Sequence, residues 1–305
     1  MRPSTPEDRV VELARALPPS LRLGCTGWTT PRWEGWVWEQ PLSRGVLARE
    51  GLGAYAQHPL LRCVLVDGMA AARDSAALAA LATSTPPDFR FVLAADQSLL
   101  WGRFPERFGE GPSSAENPLF LDAAEMTRRS IDPFVEGLGE RAGALLIRIP
   151  SQDPRGLGTR RRFPERLHTF LRALPPGPRY AVELRDHKLL TAEYAAALRD
   201  CGVLHCLSLH PSMPALEAQL AVIEPAPEQP SVVCWSMCVH FDYRAATRNY
   251  APYDMIVDRD PTARRALLSL LASSETETYV LVDNMAEGCA PASITELAEA
   301  IAQAR

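Results

Sequence analysis

Eight short runs rich in Val, Leu and Ile recur along the chain, near residues 21–25, 62–67, 89–95, 143–149, 179–185, 203–209, 231–238 and 278–283. Segments with helical spacing of apolar residues fall between and after them, at 43–56, 70–83, 121–138, 160–174, 190–200, 214–221, 261–272 and 292–303. Apolar strands alternating with helices call for a parallel sheet covered by helices, because strands buried on both faces have no polar side to give to water. About 285 residues follow the first 20, roughly 36 per βα unit, the size expected of a closed barrel. The expected fold is therefore α/β, a single (β/α)8 TIM-type barrel over residues 21–305, preceded by an N-terminal helical extension over residues 1–20. An open doubly wound sheet is the alternative. The extension carries its own signals: Ser4 or Thr5 to cap, Pro6 in the first turn, Glu7 and Asp8 for the dipole, Pro18-Pro19 to stop.

Composition narrows the function class. The net charge is −5, with 37 acidic against 32 basic residues, the wrong balance for a protein that neutralises a phosphate backbone. No apolar run approaches 18 residues, so no membrane span is expected, and the first residues lack the apolar core of a signal peptide. Seven cysteines, an odd number and mostly within apolar runs (Cys63, Cys206, Cys234), read as reduced thiols of a cytoplasmic protein.

Parity then sorts the strand residues. Side chains on a barrel strand alternate between lumen and helix layer. In Ala181-Val182-Glu183-Leu184-Arg185, Val182 and Leu184 go under helices, so Ala181, Glu183 and Arg185 face the lumen. The same rule turns Leu146, Arg148 and Pro150 inward, and Leu65 and Asp67 on the second strand. The last strand ends in Asp283-Asn284, placed here on one face. Six polar groups from four strand ends can thus converge at the C-terminal mouth, where such barrels keep their sites. Carboxylates mixed with arginines suit a small anion, with a carboxylate left to move a proton. The competing reading is a structural ion pair between Glu183 and Arg185. Two long loops follow strands: residues 25–43, with Trp28, Trp33, Trp36 and Trp38, and residues 97–120, glycine-rich and expected to be mobile.

Other constellations carry less. Cys234, Ser236, Cys238 and His240 share one face of the seventh strand, and Cys206, Ser208 and His210 one face of the sixth. Along a strand that spacing spreads ligands over roughly 10 Å or more, so small residues filling the lumen are preferred to a zinc site, and no metal or other cofactor is expected. Gly156-Leu157-Gly158-Thr159 before Arg160-Arg161-Arg162 could cradle a phosphate, but it lacks the P-loop ending and reads better as a solvated helix start. Nucleophile-elbow, zinc-protease and dinucleotide fingerprints are missing from the sequence.

Three stretches resemble the YecE-like family (domain of unknown function 72): Leu23-Gly24-Cys25-Thr26-Gly27-Trp28 with Trp33-Glu34-Gly35; Ala181-Val182-Glu183-Leu184-Arg185-Asp186; and Val282-Asp283-Asn284 with Glu287-Gly288-Cys289-Ala290-Pro291-Ala292. They cover residues 21–303. The resemblance implies a TIM barrel and no assigned reaction. Glu183, Arg185 and Asn284 match the family's motif. Elsewhere the chain departs from it: Leu65 stands where the family has Glu, Ala94 where it has Lys, Arg148 where it has Gln, and Ser236 and Cys238 where it has Arg and His. These exchanges mark a divergent member with altered or lost chemistry.

The preferred expectation is a barrel that binds and transforms a small anionic metabolite by carboxylate acid/base chemistry. Glu183 is the acid or base and Asp283 the second carboxylate. Arg185, Arg148, Asn284 and Asp67 hold the substrate, and Trp28 and Trp33 wall the pocket. The alternative is a catalytically degenerate barrel that binds a ligand or a partner protein through the tryptophan-rich loop. No nucleic-acid partner is expected, since only the Arg160 to Arg162 run would support one, and the oligomeric state stays open.

Overall fold

The computed structural model describes residues 6–68, 74–103, 115–151, 162–238, 242–272 and 275–304. Eight parallel strands close in sequence order into a barrel: β1 Leu21–Thr26, β2 Leu61–Val66, β3 Arg90–Ala94, β4 Ala142–Ile149, β5 Tyr180–Leu184, β6 Leu204–Leu209, β7 Ser231–Trp235 and β8 Thr278–Val282. The open sheet is therefore excluded. The helices are α1 Pro6–Ala16, α2 Arg44–Gln57, α3 Ser75–Thr83, α4 Ala123–Met126, α5 Asp132–Leu138, α6 Phe163–Arg172, α7 Ala192–Cys201, α8 Leu216–Ile223, α9 Tyr243–Tyr250, α10 Pro261–Ala272, α11 Asn284–Glu287 and α12 Ala290–Gln303. No helix among the described residues is long and apolar enough to cross a membrane.

Two apolar cores follow from strand parity. Leu65, Val92, Leu146, Ala181, Cys206, Cys234 and Leu281 fill the lumen. Val64, Leu93, Leu145, Val182, Leu184, Val233 and Val280 pack beneath the helices. Val10, Leu13, Ala14 and Leu17 of the N-terminal segment lie against the outer core, and Arg9 reaches Glu299 of α12 at 2.6 Å.

The differences from the sequence reading have local causes. The helix expected over 121–138 is interrupted by a π turn at Thr127–Ile131 between α4 and α5. β7 ends three residues early because the chain leaves the ladder: Ser236 N–H still bonds Leu209 O at 3.1 Å, but Cys238 N–H bonds Met285 O at 2.8 Å. α9 was not expected because only Ala246 and Tyr250 of it are buried, too weak a stripe to read. Of the loop expected to be mobile, residues 104–114 lie outside the described residues, as do Gly156 to Thr159, Arg160 and Arg161; Arg162 is exposed at the start of α6.

β1 and β2 approach closely at a register irregularity between Leu23 and Gly24. Beside it the Tyr55 hydroxyl accepts from Cys25 N–H at 2.7 Å and donates to Cys63 O at 3.0 Å, bridging the two strands. A Cβ on Gly24 would fall 2.0 Å from Cys63 O, so only glycine fits. Gly24→Ala is expected to cost about 3 kcal/mol or more, beyond ordinary overpacking, since the obstacle is backbone. Chemical denaturation checks it; a loss under about 1 kcal/mol would show that the strands part easily.

Candidate functional site at the C-terminal mouth

β4 and β5 pair with Arg148 opposite Glu183, so barrel register alone sets a guanidinium beside a carboxylate. Arg148 Nε donates to Glu183 Oε2 at 2.5 Å and Nη1 to Asp67 Oδ2 at 2.5 Å. Arg185, one residue past β5, keeps the ladder through N–H to Ile149 O and sends Nη2 to Glu183 Oε1 at 2.7 Å and Ser236 Oγ at 3.0 Å. From β6, Ser208 Oγ donates to Glu183 Oε1 at 3.1 Å. Glu183 is fully buried. Burial pushes its pKa up, but Arg148, Arg185 and Ser208 outweigh it and hold the carboxyl below the ordinary value. Burial also opposes the charge on Arg148, and Glu183 and Asp67 restore it.

Above this pair opens a cavity of about 180 Å³. Its polar lining is Thr26, Asp67, Arg148, Arg185, His210, Ser236 and Asp283; Met237, Met285 and Tyr243 form the rest. Asp283 accepts from Met285 N–H at 2.8 Å, capping α11, and from the Thr26 hydroxyl. Desolvation raises its pKa against those bonds and the two arginines. Thr26 can donate to the ionised carboxylate or accept from the protonated one, so both states are accommodated. Burial, with Arg185 nearby, lowers His210 to about 4, leaving a neutral imidazole at neutral pH.

Arg148, Arg185, Asp67 and Asp283 therefore meet at one cavity, with Glu183 directly beneath them. Asn284, Trp28 and Trp33 do not line it. The face shared by Asp283 and Asn284 does not exist, because Asp283 caps a helix and the chain turns there. Asn284 instead fastens the first loop: its Oδ1 accepts from Trp33 Nε1 at 3.2 Å and Ala290 N–H at 2.9 Å, and its Nδ2 reaches Thr30 Oγ1 at 3.2 Å. Trp28, Trp33 and Trp38 are buried, each with its indole N–H bonded. Trp36 alone is exposed, at 37%, and bonds Asp254 O. The tryptophan loop thus packs inward and offers no broad apolar surface.

The sequence reading missed Thr26, Met237, Tyr243 and Met285 as cavity residues. Thr26 could have been found from its place at the end of β1. Gln219 of α8 was also missed. It is buried, takes Ser208 N–H on Oε1 at 3.0 Å and gives Nε2 to Ser208 O at 2.8 Å, so it fixes the strand segment that holds Glu183. An amide inside the apolar run Leu216 to Ile223 was the available signal.

Two groups of three metal-type ligands occur among the described residues. Glu183, Cys206 and Cys234 come together because the lumen brings the two thiols to 3.5 Å, nearer than in-strand spacing implied. A cation fits poorly there: Glu183 is spent on two guanidiniums, and burial raises the Cys206 thiol well above its usual range. His168, Asp200 and Cys201 lie on α6 and α7, where Arg172 also takes Asp200 at 3.3 Å. Cys238 belongs to neither group, and His240 lies outside the described residues.

Replacing Glu183 by Gln removes the buried carboxylate between two guanidiniums, leaving Arg148 its half-exposed partner Asp67 and Arg185 only the Ser236 hydroxyl among the described residues. A loss of about 3–5 kcal/mol is expected, the penalty for an uncompensated buried charge. Denaturant unfolding near neutral pH reads it; because the folded pKa is lowered, the wild-type advantage should fade as pH falls through it. A neutral substitution would mean the pair carries little stability.

Comparison with known proteins bears on the fold. Two solved structures share the architecture, both DUF72-family proteins. That from Thermotoga maritima MSB8 is 18% identical, with 93% of this chain and 98% of that one covered and a TM-score of 0.54. That from Enterococcus faecalis V583 is 13% identical, with 93% and 96% covered and a TM-score of 0.53. No curated protein matches. The family model described as Protein of unknown function DUF72 matches residues 22–305, from the second residue of β1 through α12, and the chain belongs to that family.

Proposed function

We propose that the C-terminal mouth binds a small anion and that Asp283 moves a proton on it. The observation that carries this reading is a carboxyl raised toward its protonated form, sharing a cavity with two arginines. Glu183, first expected to move the proton, has both oxygens held by arginines and does not line the cavity. Its part is to hold Arg148 and Arg185 in place. Arg185 bonds through Nη2 alone among the described residues, which leaves donors of its planar fork to take an oxyanion. His210 and Ser236 supply neutral hydrogen-bonding groups beside it. The chain's one lysine, Lys188, is exposed and outside the cavity, so amine chemistry has no candidate there.

The alternative is a barrel that binds without chemistry, favoured by the locked Glu183. Recovery of the bound ligand unchanged after prolonged incubation would select it.

The test is thermal shift followed by calorimetry with glycolate, sugar acids and inorganic phosphate. A ligand at 100 times its dissociation constant adds about 2.7 kcal/mol, a rise of roughly 5 °C for a chain of this size. The rise should vanish in Arg185→Ala. Ionising Asp283 puts a negative charge beside the bound anion, so affinity should fall as pH rises through the raised pKa of Asp283. Asp283→Asn should bind with that slope removed. No shift with any anion, or one that survives Arg185→Ala, refutes the reading.

A further inference from the structure

The mouth has an apolar side as well as a charged floor. Met237 and Met285 line the cavity and belong to a third apolar cluster with Cys238, Ala246 and Tyr250, backed by Tyr253. This cluster is separate from the lumen core and from the core beneath the helices. It is built where the chain beyond β7 meets α9 and α11, and the bond from Cys238 N–H to Met285 O holds it together. Tyr243, the first residue of α9, completes the wall and is 66% exposed. Two thioethers and an aromatic ring beside charged groups make a surface that water serves poorly and an apolar ligand body serves well.

Charge limits the other end of that ligand. Arg148 and Arg185 face Glu183 and Asp67, so the floor is balanced before anything binds. A dianion would remain under-neutralised. A monoanion can enter by exchange, because Asp67 is the open carboxylate of the network, its side chain 46% exposed against 0% for Glu183. Asp67 can turn to water and leave Arg148 Nη1 to the newcomer, carboxylate for carboxylate. The cavity of about 180 Å³ has the volume of about six waters, enough for a carboxylate and a few carbons.

Resting on the anion-binding reading above, the geometry points to a short monocarboxylic acid with an apolar or aromatic body as the ligand. Its carboxylate takes the place of Asp67 on Arg148 and meets Arg185, and its body lies against Met237, Met285 and Tyr243.

Calorimetry with phenylacetate, 3-methylbutanoate, glycolate and inorganic phosphate tests this on the wild-type chain, on Tyr243→Ala and on Tyr243→Phe. The exposed position of Tyr243 makes both variants safe for folding. The two apolar acids should bind about tenfold or more tightly than glycolate, the gain expected from burying a few methylenes. Tyr243→Ala should weaken phenylacetate several-fold more than glycolate, while Tyr243→Phe keeps the preference. Glycolate or phosphate binding as tightly as the apolar acids, or a preference untouched by Tyr243→Ala, overturns the ligand class while leaving the anion site standing. Failure of all four ligands to bind overturns both.

Discussion

A single buried carboxylate organises the mouth of this barrel. Glu183 faces the lumen near the end of β5 with no access to water, which would be prohibitive for a lone charge. Arg148 comes to it by strand register, Arg185 from two residues along the same face, and Ser208 from β6. Remove the carboxylate and two guanidiniums lose their reason to lie in the lumen; keep it and both are aimed upward at one cavity. The ion pair is thus structural, and on the proposed reading it also arranges the site, so the two readings open from the sequence are not exclusive.

The same division of labour explains other motif residues. Asn284 and Glu287 fasten the fold near the mouth. Asn284 pins Trp33 and Thr30 of the first loop to the start of α12. Glu287 is buried and receives Arg264 through Nε at 2.8 Å and Nη2 at 2.5 Å, Ser293 Oγ at 2.7 Å and Asp260 N–H at 2.7 Å. That cluster clamps α10, α11 and α12 beside β8 and leaves Asp283 rigidly capped above the lumen. The proposed role of Asp283 as proton carrier needs such support, because its pKa is set by neighbours that must not move.

Much of the barrel was legible because period-2 parity is a local property. Val182 and Leu184 under helices and Glu183 in the lumen follow from adjacency alone. Parity failed at Asp283-Asn284, where a helix cap replaces the strand and the next side chain swings away. The tryptophans misled for another reason: an indole can bury fully when its N–H finds an acceptor, and Leu47 O, Asn284 Oδ1 and Thr30 O supply three. The structural pairing of Glu183 with Arg185 was open from the sequence, but its pairing with Arg148 was not legible because it depends on cross-strand register, a non-local quantity. Tyr243 sits on a helix with almost no buried stripe and left no trace in the apolar pattern.

Two carboxyls about one mouth are pushed in opposite directions, Glu183 down by its arginines and Asp283 up by burial. Carboxyl ¹³C NMR across pH, assigned with Glu183→Gln and Asp283→Asn, measures this directly. Asp283 is expected to titrate above its ordinary 3.8 and Glu183 below its ordinary 4.5. Asp283 at or below 3.8 with Glu183 raised would contradict it.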